Sequence, residues 1–217
     1  MSTLEAHYEP ESIALFSEDG VHWKGTDGTA TPISYEKDER VTRLVIGSVE
    51  RNASIEFKWP ASPDQSMALL YPNLSHLHLW GLHKFLEVPR LPKCLKCLDV
   101  RNCSDLHQIP NLPEQLDTLI LSGLPLLERS PKYSTLNELS ELDLTDCVKL
   151  DTNWINQLLA HCRQLRLVSL DGCSQLVSVE TWPPELDTLK LNRCSSLQGV
   201  PEPVSYTHLT LPTILRV

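Results

Sequence analysis

LKCLDVRNCSDLHQIPNLPEQLDTLILSGLPLL, residues 95–127, carries two copies of one pattern. In each copy an apolar residue or a cysteine stands at positions 1, 4, 6, 9 and 12. These are Leu95, Leu98, Val100, Cys103 and Leu106, then Leu116, Leu119, Leu121, Leu124 and Leu127. Working outward, the pattern starts again at Leu74, Leu139, Leu165 and Leu186, so six copies follow one another about 21 residues apart. All thirty framework positions are apolar or cysteine. Self-similarity at this period predicts stacked repeats of the α/β solenoid class, in which each unit buries its apolar face only against its neighbours. Positions 1–6 alternate, which predicts one short strand per repeat, with equal positions of successive strands forming columns about 4.8 Å apart.

The stretch that returns each strand to the next carries proline near position 16 in four copies: Pro89, Pro110, Pro131 and Pro201. Proline lacks an N–H and fixes φ, so these returns are expected to be extended or turned and not helical. The fourth repeat is different. It runs 26 residues, and its return reads DTNWINQLLAHCRQ (151–164). Asp151 or Thr152 can cap a helix there, and Ile155, Leu158, Leu159 and Cys162 fall on one helical face. One helix near 152–162 is therefore expected on a side otherwise made of turns.

Residues 1–66 lack the period and read as a β-rich flank. Ile13–Phe16 and Val21–Trp23 bracket Asp19-Gly20, a hairpin signal. Ser54–Trp59 alternates, with Ile55, Phe57 and Trp59 on one face. Val41, Leu44, Ile46 and Val49 fit the first four framework positions, as a degenerate opening repeat at 41–52 would. The flank is then either the cap that a stacked array needs or a separate small β domain, joined at Pro60-Ala61-Ser62-Pro63. The array itself is expected over 67–203. Residues 204–213, VSYTHLTLPT, resemble the conceptual translation of a sequencing adapter, and the repeat phrase breaks at the same place. The expectation is a non-native tail at 204–217, leaving Leu186, Leu189, Leu191 and Leu197 exposed unless that tail covers them.

The 217 residues carry a formal net charge of -9, which argues against a general nucleic-acid binder, since such a surface must neutralise phosphates. No apolar run is long enough to span a membrane, and the opening residues lack a secretion signal, so a cytoplasmic chain is expected. Cys103, Cys147, Cys173 and Cys194 share position 9 with Leu82 and Leu124, which makes them packing residues expected to be reduced. Cys94 and Cys97 form a CxxC, but no second pair stands at ligand spacing, and His76, His78, His83 and His107 do not complete one. No nucleophile elbow, phosphate loop or metal constellation is present. The expectation is no enzyme, no cofactor and no metal.

The spacing LxxLxLxxC/NxxL resembles the leucine-rich repeat family. That resemblance implies a curved, right-handed coil with a parallel β-sheet on its concave face, a face through which family members mostly bind proteins. The phrase LPKCLKCLDVRNCSDLHQIPNLPEQL (91–116) is similar to the C-terminal repeats of plant intracellular immune receptors. Its LP-containing returns also look like those of bacterial effectors with a ubiquitin-ligase domain after their repeats. The receptors carry a nucleotide-binding module upstream, and the chain has no GxxxxGK[ST] loop. The effectors more often place asparagine where Cys103, Cys147, Cys173 and Cys194 stand.

With positions 1, 4 and 6 buried, positions 2, 3, 5, 7 and 8 are expected on the open face. The position-5 column reads His78, Asp99, Ile120, Asp143, Ser169 and Lys190, and the position-7 column Trp80, Arg101, Ser122, Thr145, Asp171 and Asn192. Trp80 and Arg101 are the expected anchors of a protein-binding face, because tryptophan and arginine dominate hot spots. Glu141, Asp143, Asp146 and Asp171 would steer a protein or peptide partner with a basic patch, flanked by Lys190 and Arg193. The competing readings are a solvated face that only maintains solubility, and the recognition half of a larger protein whose catalytic or switch domain lies elsewhere.

Overall fold

The computed structural model describes residues 39, 41–47 and 67–200, together with strands β1 (Ser12–Ser17), β2 (Trp23–Lys24), β4 (Ile55–Glu56) and β12 (His208–Thr210). The remaining strands are β3 (Arg43–Gly47), β5 (His76–Trp80), β6 (Leu82–His83), β7 (Cys97–Arg101), β8 (Thr118–Ser122), β9 (Glu141–Asp143), β10 (Leu167–Ser169) and β11 (Thr188–Lys190). Among the described residues two helices accompany them, α1 (Met67–Leu70) and α2 (Thr152–His161). Ten strands form one open sheet in the order β12-β11-β10-β9-β8-β7-β5-β3-β1-β2, and β4 and β6 form a second, small one. Every pairing is parallel except β1 with β2.

The register follows the repeat. Leu77 pairs with Leu98, Leu98 with Leu119, Leu119 with Leu142, Leu142 with Val168 and Val168 with Leu189, all at position 4. Leu44 and Ile46 of β3 pair with Leu77 and Leu79, so 41–47 occupy the places of positions 1–7. Phe16 and Ser17 face Lys24 and Trp23, which pairs the two arms of the expected hairpin, while its Asp19-Gly20 turn lies outside the described residues. Of the expected strand at Ser54–Trp59, only Ile55 and Glu56 belong to the described elements. Val49 and the 60–63 joint lie outside them as well.

Strands begin at position 3 instead of position 1. Position 1 donates its N–H locally, as Leu95 does to Pro92 O and Leu116 to Pro113 O. The N–H groups of positions 2 and 3 then share one carbonyl of the preceding repeat: Lys96 and Cys97 both donate to Ser75 O, and Asp117 and Thr118 to Lys96 O. Position 8 has a positive φ in all six repeats: Gly81 (65°), Asn102 (55°), Gly123 (65°), Asp146 (57°), Gly172 (73°) and Arg193 (60°). Glycine, asparagine and aspartate tolerate this left-handed region best. In five of the repeats the position-8 N–H donates to the position-7 carbonyl of the next repeat, from Gly81→Arg101 to Gly172→Asn192. There the chain turns from strand into core.

The core is one continuous stack. Framework residues from Leu74 to Cys194 are buried, Phe85 among them, and only Leu197 is half-buried. Leu186, Leu189 and Leu191 are 3%, 2% and 0% exposed, as expected where the tail covers the last repeat. β12 pairs with β11 in the same parallel register, Leu189 opposite Leu209. Each fully buried leucine contributes roughly 1.5–3 kcal/mol. The position-9 cysteines do more than fill space. Cys147, Cys173 and Cys194 donate their thiols to the position-6 carbonyls of the repeat before, Leu121, Leu144 and Leu170, at 2.9, 3.2 and 3.1 Å. Cys103 reaches Leu79 O at 3.6 Å. Burial pushes the Cys103 and Cys147 thiols up to about 12, so they remain protonated donors at neutral pH.

On the return side, position 14 forms a second line of parallel bridges: Glu87 with Gln108, Gln108 with Arg129, and Ser178 with Gly199. α2 interrupts this line in the fourth repeat. Its N-cap is Asp151, whose carboxylate accepts from Asn153 N at 3.3 Å. Ile155, Leu158, Leu159 and Cys162 are buried as their spacing predicts, with Trp154 donating its indole N–H to Pro131 O at 2.9 Å. α1, a single turn, is a second helix that the pattern does not foretell; its first N–H groups are tied by Ala68 N donating to Arg90 O. The gap left by the helix is bridged by Thr152, whose hydroxyl donates to Gln175 O (2.9 Å) and accepts from Val177 N (3.1 Å), and by Asn156, 6% exposed. Its Nδ2 donates to Ser178 O (3.1 Å) and its Oδ1 accepts from Glu180 N (3.1 Å), so the side-chain amide stands in for a missing strand peptide. Asn156→Leu should therefore cost about 1–3 kcal/mol in urea unfolding, since it takes the partners from two part-buried backbone groups, whereas the exposed Gln157→Leu should cost little. Equal midpoints for the two variants would remove the bridging role from Asn156.

Candidate functional site

Because side chains alternate along a strand, positions 3, 5 and 7 leave the sheet on the side away from the leucine stack. The early part of this face is built on one carboxylate. Asp99, at position 5 of β7, is only 4% exposed although it points out of the core. It accepts from Arg101 Nε at 2.7 Å, two residues along the same strand, and from His78 Nδ1 at 3.2 Å, one strand earlier. An ionised carboxylate can only accept, so His78 carries its proton on Nδ1. The His78 ring meets Trp80 edge-on at 5.3 Å between centroids, with 64° between planes. Trp80 Nε1 is shielded from solvent and has no acceptor among the described residues. Asp99 thus ties three side chains from two strands into one arrangement and holds the Arg101 guanidinium upright. That side chain remains 46% exposed.

Beyond Arg101 the face turns apolar and then acidic. Asp99 pairs with Ile120, which is 7% exposed, and Ile120 with Asp143. Glu141 and Asp143 are half-buried on β9, close enough for both to stabilise the Arg101 charge. Asp143 Oδ1 also accepts from Thr145 N at 2.9 Å. Asp171 accepts from Asn192 N at 2.6 Å and from Asn192 Nδ2 at 3.2 Å, which closes the turn of the last repeat. Lys190 is exposed on β11. Asp146 and Arg193 stand at the left-handed position 8, past the strands, and pair with each other at 3.1 Å. The Asp146 carboxylate lies where a Cβ on Gly172 would have to go, so that glycine makes room for it.

Of the eight candidates, the structure brings Trp80, Arg101, Glu141 and Asp143 onto one stretch of sheet. Asp171 lies at the turn beyond β10, Asp146 and Arg193 at position 8, and Lys190 on the last strand of the array. Sequence reasoning did not single out Asp99, His78 or Ile120. The signal for the first two was present: an aspartate two residues before an arginine on one strand, with a histidine 21 residues earlier. The position-8 series Gly, Asn, Gly, Asp, Gly, Arg was likewise legible as a left-handed turn residue. Cys97 sits on this face, and burial, with Asp99 and Glu141 nearby, pushes its thiol up to about 12, the opposite of what a redox or metal-binding cysteine needs. Cys94 donates its thiol to Pro72 O at 3.1 Å. No cluster of three or more metal-ligating side chains is gathered among the described residues.

Comparisons with known proteins point in one direction. The chain is 28% identical over 193 residues to Disease resistance protein RML1A of Arabidopsis thaliana, which covers 79% of the chain and 18% of that protein. It is 33% identical over 82 residues to Disease resistance protein RPS4B (38% of the chain, 7% of the relative) and 28% over 145 residues to Probable disease resistance protein RF9 (60% and 13%), both from the same plant. The chain therefore spans less than a fifth of the length of these relatives. No family model matches it, and no solved structure matches it. No helix among the described residues is long and apolar enough to cross a membrane.

Burial alone would raise the Asp99 carboxyl, but the hydrogen bonds from His78 and Arg101 and their charges outweigh it and hold the group below its ordinary value of 3.8. A folded-state value below the unfolded one adds stability above the unfolded value, and this is lost as pH falls through the folded one. Asp99→Asn should lower stability at pH 7 by on the order of 1–3 kcal/mol, and the gap to the wild type should narrow below about pH 4. Denaturation midpoints measured from pH 7 down to pH 2.5 check this; a gap that does not change with pH would mean that Asp99 is not held as the anion.

Proposed function

We propose that this chain is the leucine-rich-repeat recognition segment of a plant immune receptor, and that it binds a protein or peptide on the concave face of a curved solenoid. The observation that carries the reading is the outward sheet face, where Asp99 fixes His78 and Arg101 beside Trp80 and the acidic pair Glu141 and Asp143 follows two strands on. Three features support it. The strands repeat in strict register. The relatives are disease resistance proteins that share 28–33% identity with it. The face presents an exposed arginine and a shielded aromatic, the residue types that anchor interfaces. The modest fraction of each relative that the chain spans favours a recognition part of a longer protein. On this reading the segment works in the cytoplasm and catalyses nothing itself, and no nucleic acid, membrane or cofactor takes part.

Photo-crosslinking tests the surface directly. A photoreactive amino acid at Thr118 or Thr188, on the sheet face, should capture a protein in plant-cell extract. The same group at Gln157 or Lys132, on the return side, should not. Asp143→Lys should reduce the face-side product several-fold. Because Asp143 also caps Thr145, Asp143→Asn serves as the variant that keeps the acceptor and removes only the charge. Crosslinks from the return side alone would place the binding surface there and end this reading of the sheet.

A further inference from the structure

We propose that the partner presents an acidic and a basic side chain about four residues apart on an extended segment laid diagonally across the strands, the acid over Arg101 and the base over Glu141 and Asp143. This rests on the reading of the face as a protein-binding surface and adds the chemistry of what it takes. Arg101 spends only Nε on Asp99; its two terminal nitrogens have no hydrogen-bond partner among the described residues, and the side chain is 46% exposed. A guanidinium held in this way offers a fork matched to a carboxylate. The Glu141 carboxylate has no hydrogen-bond partner among the described residues, and Asp143 keeps one carboxylate oxygen beyond its bond to Thr145 N. These two groups stand on β9 and Arg101 on β7, with β8 between. Two strand spacings come to about 10 Å, and Arg101 stands level with Ser122, two residues further along the sheet than Asp143, so the diagonal from Arg101 to the acidic pair is roughly 12–14 Å, about four residues of extended chain. Ile120 lies on the strand between them and is 7% exposed, a floor for the apolar or small residues of the intervening step.

A wholly basic segment does not suit this surface as well. It would bring a cation over Arg101, where the like-charge contact removes part of what Glu141 and Asp143 contribute. A segment of mixed charge satisfies both ends. Trp80, one strand before Arg101 in the same position-7 column, gives the acidic end an aromatic neighbour.

The test is selection of a random 12-residue peptide library, displayed on yeast, against the full 217-residue chain, followed by anisotropy titration of the enriched peptides. The expected consensus places Asp or Glu about four residues from Lys or Arg. Arg101→Gln should weaken these peptides at least tenfold, and the loss should vanish when the peptide's own acid is replaced by glutamine. Glu141→Gln with Asp143→Asn should do the same for its base. Arg101→Lys, which keeps the charge and the tie to Asp99 but lacks the fork, should give an intermediate loss and guards against a folding defect in the glutamine variant. A purely basic consensus, or peptides weakened by Asp143→Asn but indifferent to Arg101→Gln, would overturn the mixed-charge inference and leave the binding face standing. Failure to enrich any peptide that depends on a face residue would count against the face itself.

Discussion

One left-handed residue per repeat carries the architecture. After each strand the chain has to leave the sheet, drop its ninth residue into the stack and still satisfy the N–H it turns on. The positive φ at position 8 does this six times, and in five repeats the turning N–H is handed to the carbonyl of the next repeat. With the turn fixed, positions 9 and 12 reach the core, and position 4 aligns with its counterparts across the sheet. If the turn were lost, position 9 would point to solvent and the thiol bonds to the repeat before would have no donor. Three of the six residues at this position are glycine, two are Asn102 and Asp146, and one, Arg193, is a residue type with no special tolerance for it. The last repeat is thus the one that holds its turn least comfortably.

Much of this was legible from residue order, because burial in a stack of this kind depends only on the local period. The framework residues, the helix of the fourth repeat and its buried face all follow from apolar spacing. What was not legible depends on hydrogen bonding between repeats. Strands start two residues late because positions 1–3 spend their N–H groups on a local turn and a shared carbonyl, a choice that no apolar pattern records. Nor does the pattern reveal that Asn156 replaces a strand peptide, since a buried asparagine reads as an interruption until its partners at Ser178 and Glu180 are known.

The face shows the same division. Residue type alone made Trp80, Arg101 and the acidic side chains candidates of equal standing. Geometry separates them by what else each must do. Asp171 closes a turn onto Asn192, and Asp146 fills the space above Gly172. Arg101 and Glu141 have no such structural duty towards the backbone. Asp99, the most buried charge of the group, sits beneath them as the part that sets their arrangement, and its weight could be judged only once its two donors were placed on neighbouring strands.

The interruption at α2 also bears on how the molecule comes apart. Stacked repeats are held by nearest-neighbour contacts, so cooperativity travels along the stack one junction at a time. The return side is bridged across the first three repeats and again across the last two, and between these blocks the Thr152 hydroxyl and the Asn156 amide replace the main-chain link. That junction is a seam. Stress that reaches it from either end meets side-chain bonds in place of main-chain bridges, and the blocks on its two sides are the natural units in which the stack would fray.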